Sequence, residues 1–241
     1  MTRYSYDFHI HSCLSPCADD DMTPANIAGM AVIGGLQIVA LTDHNTCKNC
    51  PAFFRAAKQH GIVPVAGMEL TTAEEIHMVC LFPTLDEAMA FDALVEKRRM
   101  PVKNKKEIFG NQLIMDSEDN VIGEDENLLI LATDITLAEG WKLVKSMGGA
   151  AFPAHIDREA NGIIAVLGTF PDEPPFRYVE FNDSANVDEY VKKYSLEDKG
   201  VLCSSDAHNL WSINEAVNFI EIDDEPYSSD LVRRRLIEKI G

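Results

Sequence analysis

No apolar run in this sequence approaches the roughly 18 to 20 residues that cross a bilayer, so its 241 residues are not expected to span a membrane. Basic residues are scarce. Lys and Arg number 21 against 39 Asp and Glu, which gives a formal charge of −18. A field of that sign repels polyphosphate backbones, and with no basic stripe in view, long nucleic acid is not expected as a partner. Small phosphorylated substrates stay allowed, because bound divalent cations reverse the sign of a site locally. The opening segment, Met1 to Asp7, lacks the apolar stretch of a secretory signal, which predicts a cytoplasmic protein. No internal repeat or low-complexity tract occurs, which excludes a repeat array.

Cysteine is sparse at six residues, and thiols persist in a reducing compartment. Cys80 and Cys203 lie in apolar, strand-like runs and read as core. Cys13-x3-Cys17 and Cys47-x2-Cys50 each follow a histidine motif at a spacing that suits a second metal or a redox pair; plain reduced thiols are the alternative.

What the chain does have is enough apolar material, 46% of its residues, to bury a sizeable core. Its length fits an α/β barrel as a single unit, residues 1–241. Apolar runs alternate with helical stretches. Strands are predicted over 6–11, 37–42, 62–66, 76–82, 150–154, 177–181 and 201–204, and helices after Thr23-Pro24 and over 51–59, 137–147, 188–194 and 230–240. Strand-then-helix order argues for parallel strands with crossover helices, and functional residues at strand ends can then meet from distant sequence. Residues 84–136 stand outside this alternation. They read as a helix from Thr84 to Arg99, a hairpin over 112–122 and the acidic Gly123 to Glu126: an inserted subdomain or lid, or else a solvated elaboration with no role.

Six of the seven histidines occupy short motifs at the ends of apolar runs, while His60 stands alone and is predicted to be a surface residue at a helix end. The motifs are His9-Ile10-His11, Thr42-Asp43-His44-Asn45, Gly67-Met68-Glu69, Ile76-His77, Ala154-His155 and Ser205-Asp206-Ala207-His208. Imidazole with carboxylate is the ligand set that suits zinc, manganese and iron. Residues two apart in a strand share a face, so His9 and His11 can reach one metal together. Glu69 follows Gly67, which lets another backbone come close. His77, alone on an alternating strand, is equally readable as a structural histidine.

In order and spacing these motifs resemble the PHP family, named for polymerase and histidinol phosphatase, and look most like its stand-alone bacterial metal-dependent phosphoesterases. The resemblance covers residues 6–82 and 148–209. It implies a distorted seven-stranded α/β barrel holding two or three divalent ions. It also implies that His9, His11, His44, Glu69, His77, His155, Asp206 and His208 are metal ligands. A further ligand is expected four residues before Thr23, which selects Asp19; the loop is longer than the family pattern, so Asp20 and Cys17 are alternatives. Asp43 matches the family and is expected to orient His44 or a water. Arg158 stands where family members carry a phosphate-binding arginine, although a salt bridge to Asp157 or Glu159 is an alternative use.

The resulting expectation is hydrolysis of a small phosphomonoester or a short nucleotide phosphate by metal-activated hydroxide. Two other readings keep the metals: a catalytically silent binding or regulatory module, and a hydrolase of a non-phosphate substrate.

Overall fold

A computed structural model describes residues 1–241. The strands are β1 Thr2–Asp7, β2 Ile38–Leu41, β3 Val63–Thr71, β4 His77–Phe82, β5 Leu113–Met115, β6 Val121–Glu124, β7 Ala150–Pro153, β8 Tyr178–Phe181, β9 Gly200–Cys203 and β10 Phe219–Ile222. The helices are α1 Pro24–Ile33, α2 Cys50–Gln59, α3 Leu85–Glu96, α4 Lys106–Phe109, α5 Leu137–Ser146, α6 Ile163–Leu167, α7 Val187–Tyr194 and α8 Ser229–Ile240. Thr23 caps α1 by accepting from the Asn26 N–H, with Pro24 in the first turn, where a missing N–H costs nothing. His60 is exposed at the carboxyl end of α2.

Six strands form one sheet in the order β10-β1-β2-β3-β4-β7, while β8 and β9 pair in parallel beside it and β5 and β6 form a hairpin. β1, β2 and β3 are parallel, as the alternation predicts. β4 is not: it runs antiparallel to both β3 and β7. Only the short turn 72–76 separates it from β3, too little chain for a crossover helix. The inversion places His77, at the amino end of β4, opposite Thr71 at the carboxyl end of β3. His77 therefore lies at the same sheet edge as the residues that follow β1 and β2.

The fold is mixed α/β with a curled sheet, which meets the expected class in its coarser form. Continuous pairing does not reproduce the expected seven-strand count. The six-stranded ladder carries β10 on an antiparallel edge, and β8 and β9 join it through isolated links. One is the parallel bridge Ile10–Ala207; another is the 2.9 Å bond from the Ile156 N–H to the Glu180 carbonyl.

Alternation along the strands divides the core in two. Val39, Leu41, Ala66 and Met68 face outward against α1 and α2, in a cluster with Ile27, Ala31, Phe53 and Ala57. Ile38, Ala40, Val63, Val65 and Phe152 face inward, where Val232, Leu236, Ile237 and Ile240 of α8 pack onto them. The inner cluster is thus filled from below by the last helix. No helix is long and apolar enough to cross a membrane.

Residues 84–136 pack against the loops that follow β1 and β2. The Leu113 N–H bonds the Cys13 carbonyl at 2.9 Å, and Asn49 joins the hairpin to Ser12 by bonding the Leu113 carbonyl, the Met115 N–H and the Ser12 hydroxyl. Buried Asp92 of α3 accepts from Thr46 and from the Cys47 N–H, and Asn45 donates to the carbonyls of Leu129 and Leu131.

Candidate metal centre

The inner face changes occupant at the end of β1. Tyr4, Tyr6 and Phe8 belong to the inner cluster but Ile10 belongs to the outer one, so the alternation slips by a residue and His9 and His11 take the inward positions. Buried Asp7 supports the slip by accepting from the N–H groups of His9, Ser205 and Asn214, at 3.4, 3.1 and 3.2 Å. Burial pushes its carboxyl up to about 6 against these hydrogen bonds. The same contacts bring the Ser205–His208 loop beside the first histidines.

Glu69 lies at the centre. Its carboxylate is fully buried and meets five imidazoles: His9 and His11 at 3.3 Å, His44 and His155 at 3.0 Å, and His77 at 2.8 Å. Asp206 Oδ1 stands 3.3 Å from His9 Nε2 and 3.1 Å from His11 Nε2. Three groups of facing ligand atoms result: His9, His11, Glu69 and Asp206; His44, Glu69 and His77; and His11, His44 and His208. The backbone is strained here, with positive φ at His155 and Asp206 (27° and 50°), as occurs where a site overrides local preference.

The hydrogen bonds around the cluster fix its tautomers. Ser15 Oγ lies 2.7 Å from an Asp43 oxygen and 2.9 Å from His11 Nδ1. Its one proton goes to the carboxylate, so His11 Nδ1–H must be the donor and Nε2 is left as a lone pair. His9 Nδ1 donates to Glu180 at 2.7 Å, and His208 Nδ1 donates to the Asp206 carbonyl at 2.8 Å. In His9 and His11, therefore, the Nε2 lone pairs face each other at 3.2 Å with carboxylate oxygens alongside. Glu69 Oε2 and Asp206 Oδ1 have no hydrogen-bond partner despite full burial. Acceptors crowded onto acceptors in this way fit a divalent cation between them, and the donor set suits zinc, manganese or iron.

The electrostatics agree. Burial opposes charge on His9 and His11, yet Glu180, Glu69 and Asp206 raise His9 well above its ordinary value, and Asp206 and Glu69 bring His11 to about 9. These imidazoles attract positive charge, which a metal supplies by displacing the proton. Burial and the nearby His11 lower His44 to about 3 and His208 to about 4. Against burial, the surrounding imidazoles hold Glu69 and Asp206 well below the usual carboxylate range.

A cleft of about 120 Å³ opens over the cluster, lined by His44, Glu69, His77, His155, Arg158 and Asp206 among others. Arg158 uses neither expected salt bridge. Its Nη1 donates to Asp206 at 2.6 Å and its Nη2 to Asn182 at 3.2 Å, while the Asp157 carboxylate is engaged by the N–H groups of Asn182 and Asp183. Asp19 is not brought to the cluster. Its side chain is exposed, and only its backbone N–H reaches the His208 carbonyl; Asp20 turns away to Asn111, and Cys17 is exposed outside all three ligand groups. The extra length of the loop is taken up by turns at Ser15 and Ala18 that swing the acidic run outward. Asp43 faces Ser12 and Ser15 rather than the cleft and reaches His11 through Ser15. Cys13, Cys47 and Cys50 are buried thiols bonded to backbone carbonyls, and burial pushes Cys13 up to about 12. Glu180 and Ser15 were missed by sequence reasoning; the available signal was a single glutamate inside the apolar run Tyr178 to Phe181.

A buried cluster of imidazoles bridged by one glutamate, at the edge of a curled α/β sheet, defines a metal-dependent hydrolase type of site. The sequence profile of the PHP domain matches residues 7–144, more than half of the chain, and the protein belongs to the PHP family. A 5'-3' exoribonuclease of Haemophilus influenzae is 33% identical over 119 residues, covering 46% of this chain and 42% of the relative. The chain thus spans less than half the length of that protein. Among solved structures, the lesion-specific endonuclease Q of Pyrococcus furiosus matches all of this chain and 57% of its own, at TM-score 0.64 and 18% identity. A Bifidobacterium adolescentis protein assigned as a metal-dependent phosphoesterase covers 98% of this chain and 96% of its own, at TM-score 0.59 and 18% identity.

These findings overturn one expectation. Endonuclease Q has been solved with a 27-mer duplex bearing an abasic lesion at its active site, so a site on this fold accepts long nucleic acid and the exclusion drawn from charge does not hold. Net charge describes the whole chain and not the face around a metal cluster. The exclusion also passed over a basic run, Lys97, Arg98, Arg99, Lys103, Lys105 and Lys106, although acidic neighbours pair with most of it.

Proposed function

We propose that this chain is a metal-dependent phosphoesterase acting on the phosphoester of a nucleotide or the end of a nucleic acid. One observation carries the reading: Glu69 joins five imidazoles in a single buried cluster beneath a cleft that contains Arg158. His9, His11, Glu69, Asp206, His44, His77, His155 and His208 would hold two or three ions, zinc, manganese or iron. Such ions supply Lewis acidity and a nucleophile drawn from water at neutral pH.

The protein's own contribution is placement. Glu180 and Ser15 keep Nδ1–H of His9 and His11 engaged, so that both Nε2 atoms stay aimed inward. Asp43 acts one step further out, as the acceptor that orients Ser15. Arg158 retains N–H donors beyond those given to Asp206 and Asn182, and these would bind the phosphoryl oxygens. The cleft has room for a phosphoryl group but falls below the roughly 300 Å³ of pockets that enclose whole small molecules. The body of the substrate would therefore rest on the rim. The exoribonuclease relative and endonuclease Q support a nucleotide-bearing substrate over other phosphoesters.

In the same reading residues 1–241 form one PHP-type unit with 84–136 inserted. β1 to β4, β7, β8 and β9 are its seven barrel strands, supported by the Ile10–Ala207 bridge. The test is phosphate or nucleotide release from a panel of nucleoside monophosphates and short oligonucleotides. Activity should be abolished by a chelator, restored by manganese or zinc, and lost in His9→Ala. No turnover of any member by fully metal-loaded protein would overturn the proposal.

A further inference from the structure

Trp211 is 88% exposed, an unusual state for the largest apolar side chain, and it lies three residues beyond His208. It occupies a single helical turn, Leu210–Ser212, which is capped and packed against the fold. Asn209 caps it, its Oδ1 accepting from the Ser212 N–H at 3.0 Å and from the Ser212 hydroxyl at 2.9 Å. Leu210 and Ile213, which share a face at a three-residue spacing, both pack against the outer core. The turn is anchored on either side of Trp211 and leaves its ring in solvent. Its neighbours in sequence Asn209, Ser212, Asn214 and Glu215 are polar.

Three residues of chain span at most about 11 Å, so Trp211 stands within one or two nucleotides of the cleft that His208 lines. Because that cleft takes a phosphoryl group and little more, whatever the phosphate is attached to lies outside it. We propose that Trp211 is a stacking platform for a nucleobase of a single-stranded substrate whose phosphate sits over the metal cluster. The proposal rests on the phosphoesterase reading above and adds the substrate class to it. A flat aromatic face binds any base without reading its sequence.

The experiment uses full-length metal-loaded protein with Trp141→Phe, leaving Trp211 as its only tryptophan, titrated with a phosphorothioate-linked octanucleotide that resists cleavage. Quenching of Trp211 emission by the octanucleotide, and none by inorganic phosphate or an abasic oligomer of equal length, is expected. In the otherwise wild-type chain, Trp211→Ala should weaken octanucleotide binding by about 5- to 100-fold, as loss of one stacked base does, and Trp211→Phe should recover most of it. The proposal is overturned by equal quenching with the abasic oligomer, by unchanged octanucleotide affinity in Trp211→Ala, or by a change of oligomeric state as that variant's only effect. Binding is read without turnover, so quenching by a base in a protein that hydrolyses nothing would retain this platform and sink the phosphoesterase reading alone.

Discussion

Each of His9, His11 and His208 has one ring nitrogen committed outside the cluster, to Glu180, Ser15 and the Asp206 carbonyl respectively. The second partner of a ligand histidine sets its tautomer and basicity, and losing it commonly lowers metal affinity 10- to 100-fold. Glu180→Gln keeps the shape of the side chain and removes its charge, so metal affinity should fall within that range; competition against a chromophoric chelator measures it. Ser15→Ala should act in the same direction through His11, because Asp43 loses its intermediary. The clustered histidines and carboxylates were legible in the sequence because the two residue types recur together at strand ends. Glu180 and Ser15 were not. Glu180 is an isolated polar residue that acquires a role only through His9, 171 positions away, and the first loop reads locally as if Asp19 were the ligand.

Among the elements, apolar periodicity located most helices and strands to within a few residues. Glu69, expected beyond a strand that ends at residue 66, lies inside β3, two residues after a glycine that brings backbones close. A Cβ on Gly67 would lie 2.6 Å from Leu81 Cδ2, 2.8 Å from the Cys80 carbonyl and 2.9 Å from Thr42 Cγ2. Gly67→Ala should therefore destabilise the fold by about 1–3 kcal/mol, as overpacking does, read as a lower denaturant midpoint at unchanged slope. Strand direction was less legible, because β4 reads the same whichever way it runs; the short turn 72–76 decides its direction. The segment 84–136 was the least legible, since many of its attachments are single side chains and isolated backbone hydrogen bonds. One is buried Asp125, which accepts from Lys48 of the His44 loop at 2.9 Å and from Arg99 at 3.0 Å. Burial alone would raise its pKa, but Lys48 and Arg99 outweigh burial and hold it below the ordinary aspartate value. A depressed carboxyl contributes stability above its unfolded pKa of about 3.9, and that contribution is lost as pH falls through the lower folded value. Asp125→Asn should cost about 1–3 kcal/mol at pH 7, and the gap to wild type should close below pH 4 in denaturation series.

For the molecule as a whole, the α/β class and the convergence of the histidines followed from the strand-helix alternation. The strand pairing did not, because β8 and β9 form a separate pair that meets the six-stranded sheet through isolated links rather than a ladder. Cations bound among so many buried acceptors should stabilise the native state. At an ion concentration a hundredfold above the dissociation constant the gain is about 2.7 kcal/mol per site. At about 2–4 °C per kcal/mol for a chain of this size, stripping one site should lower the thermal midpoint by about 5–10 °C. Calorimetry before and after chelation measures this, and readdition of manganese or zinc should reverse it.

The partners of His9 carry one more consequence. It is synthesised well before two of the groups around it, Glu180 and Asp206. A nascent chain displays His9 and His11 long before those carboxylates exist, and a divalent ion met at that stage finds two imidazoles and little else. Tight binding of an ion must therefore wait until the chain as far as Asp206 has been synthesised and folded, so the choice of metal falls to whichever ion is available at that point.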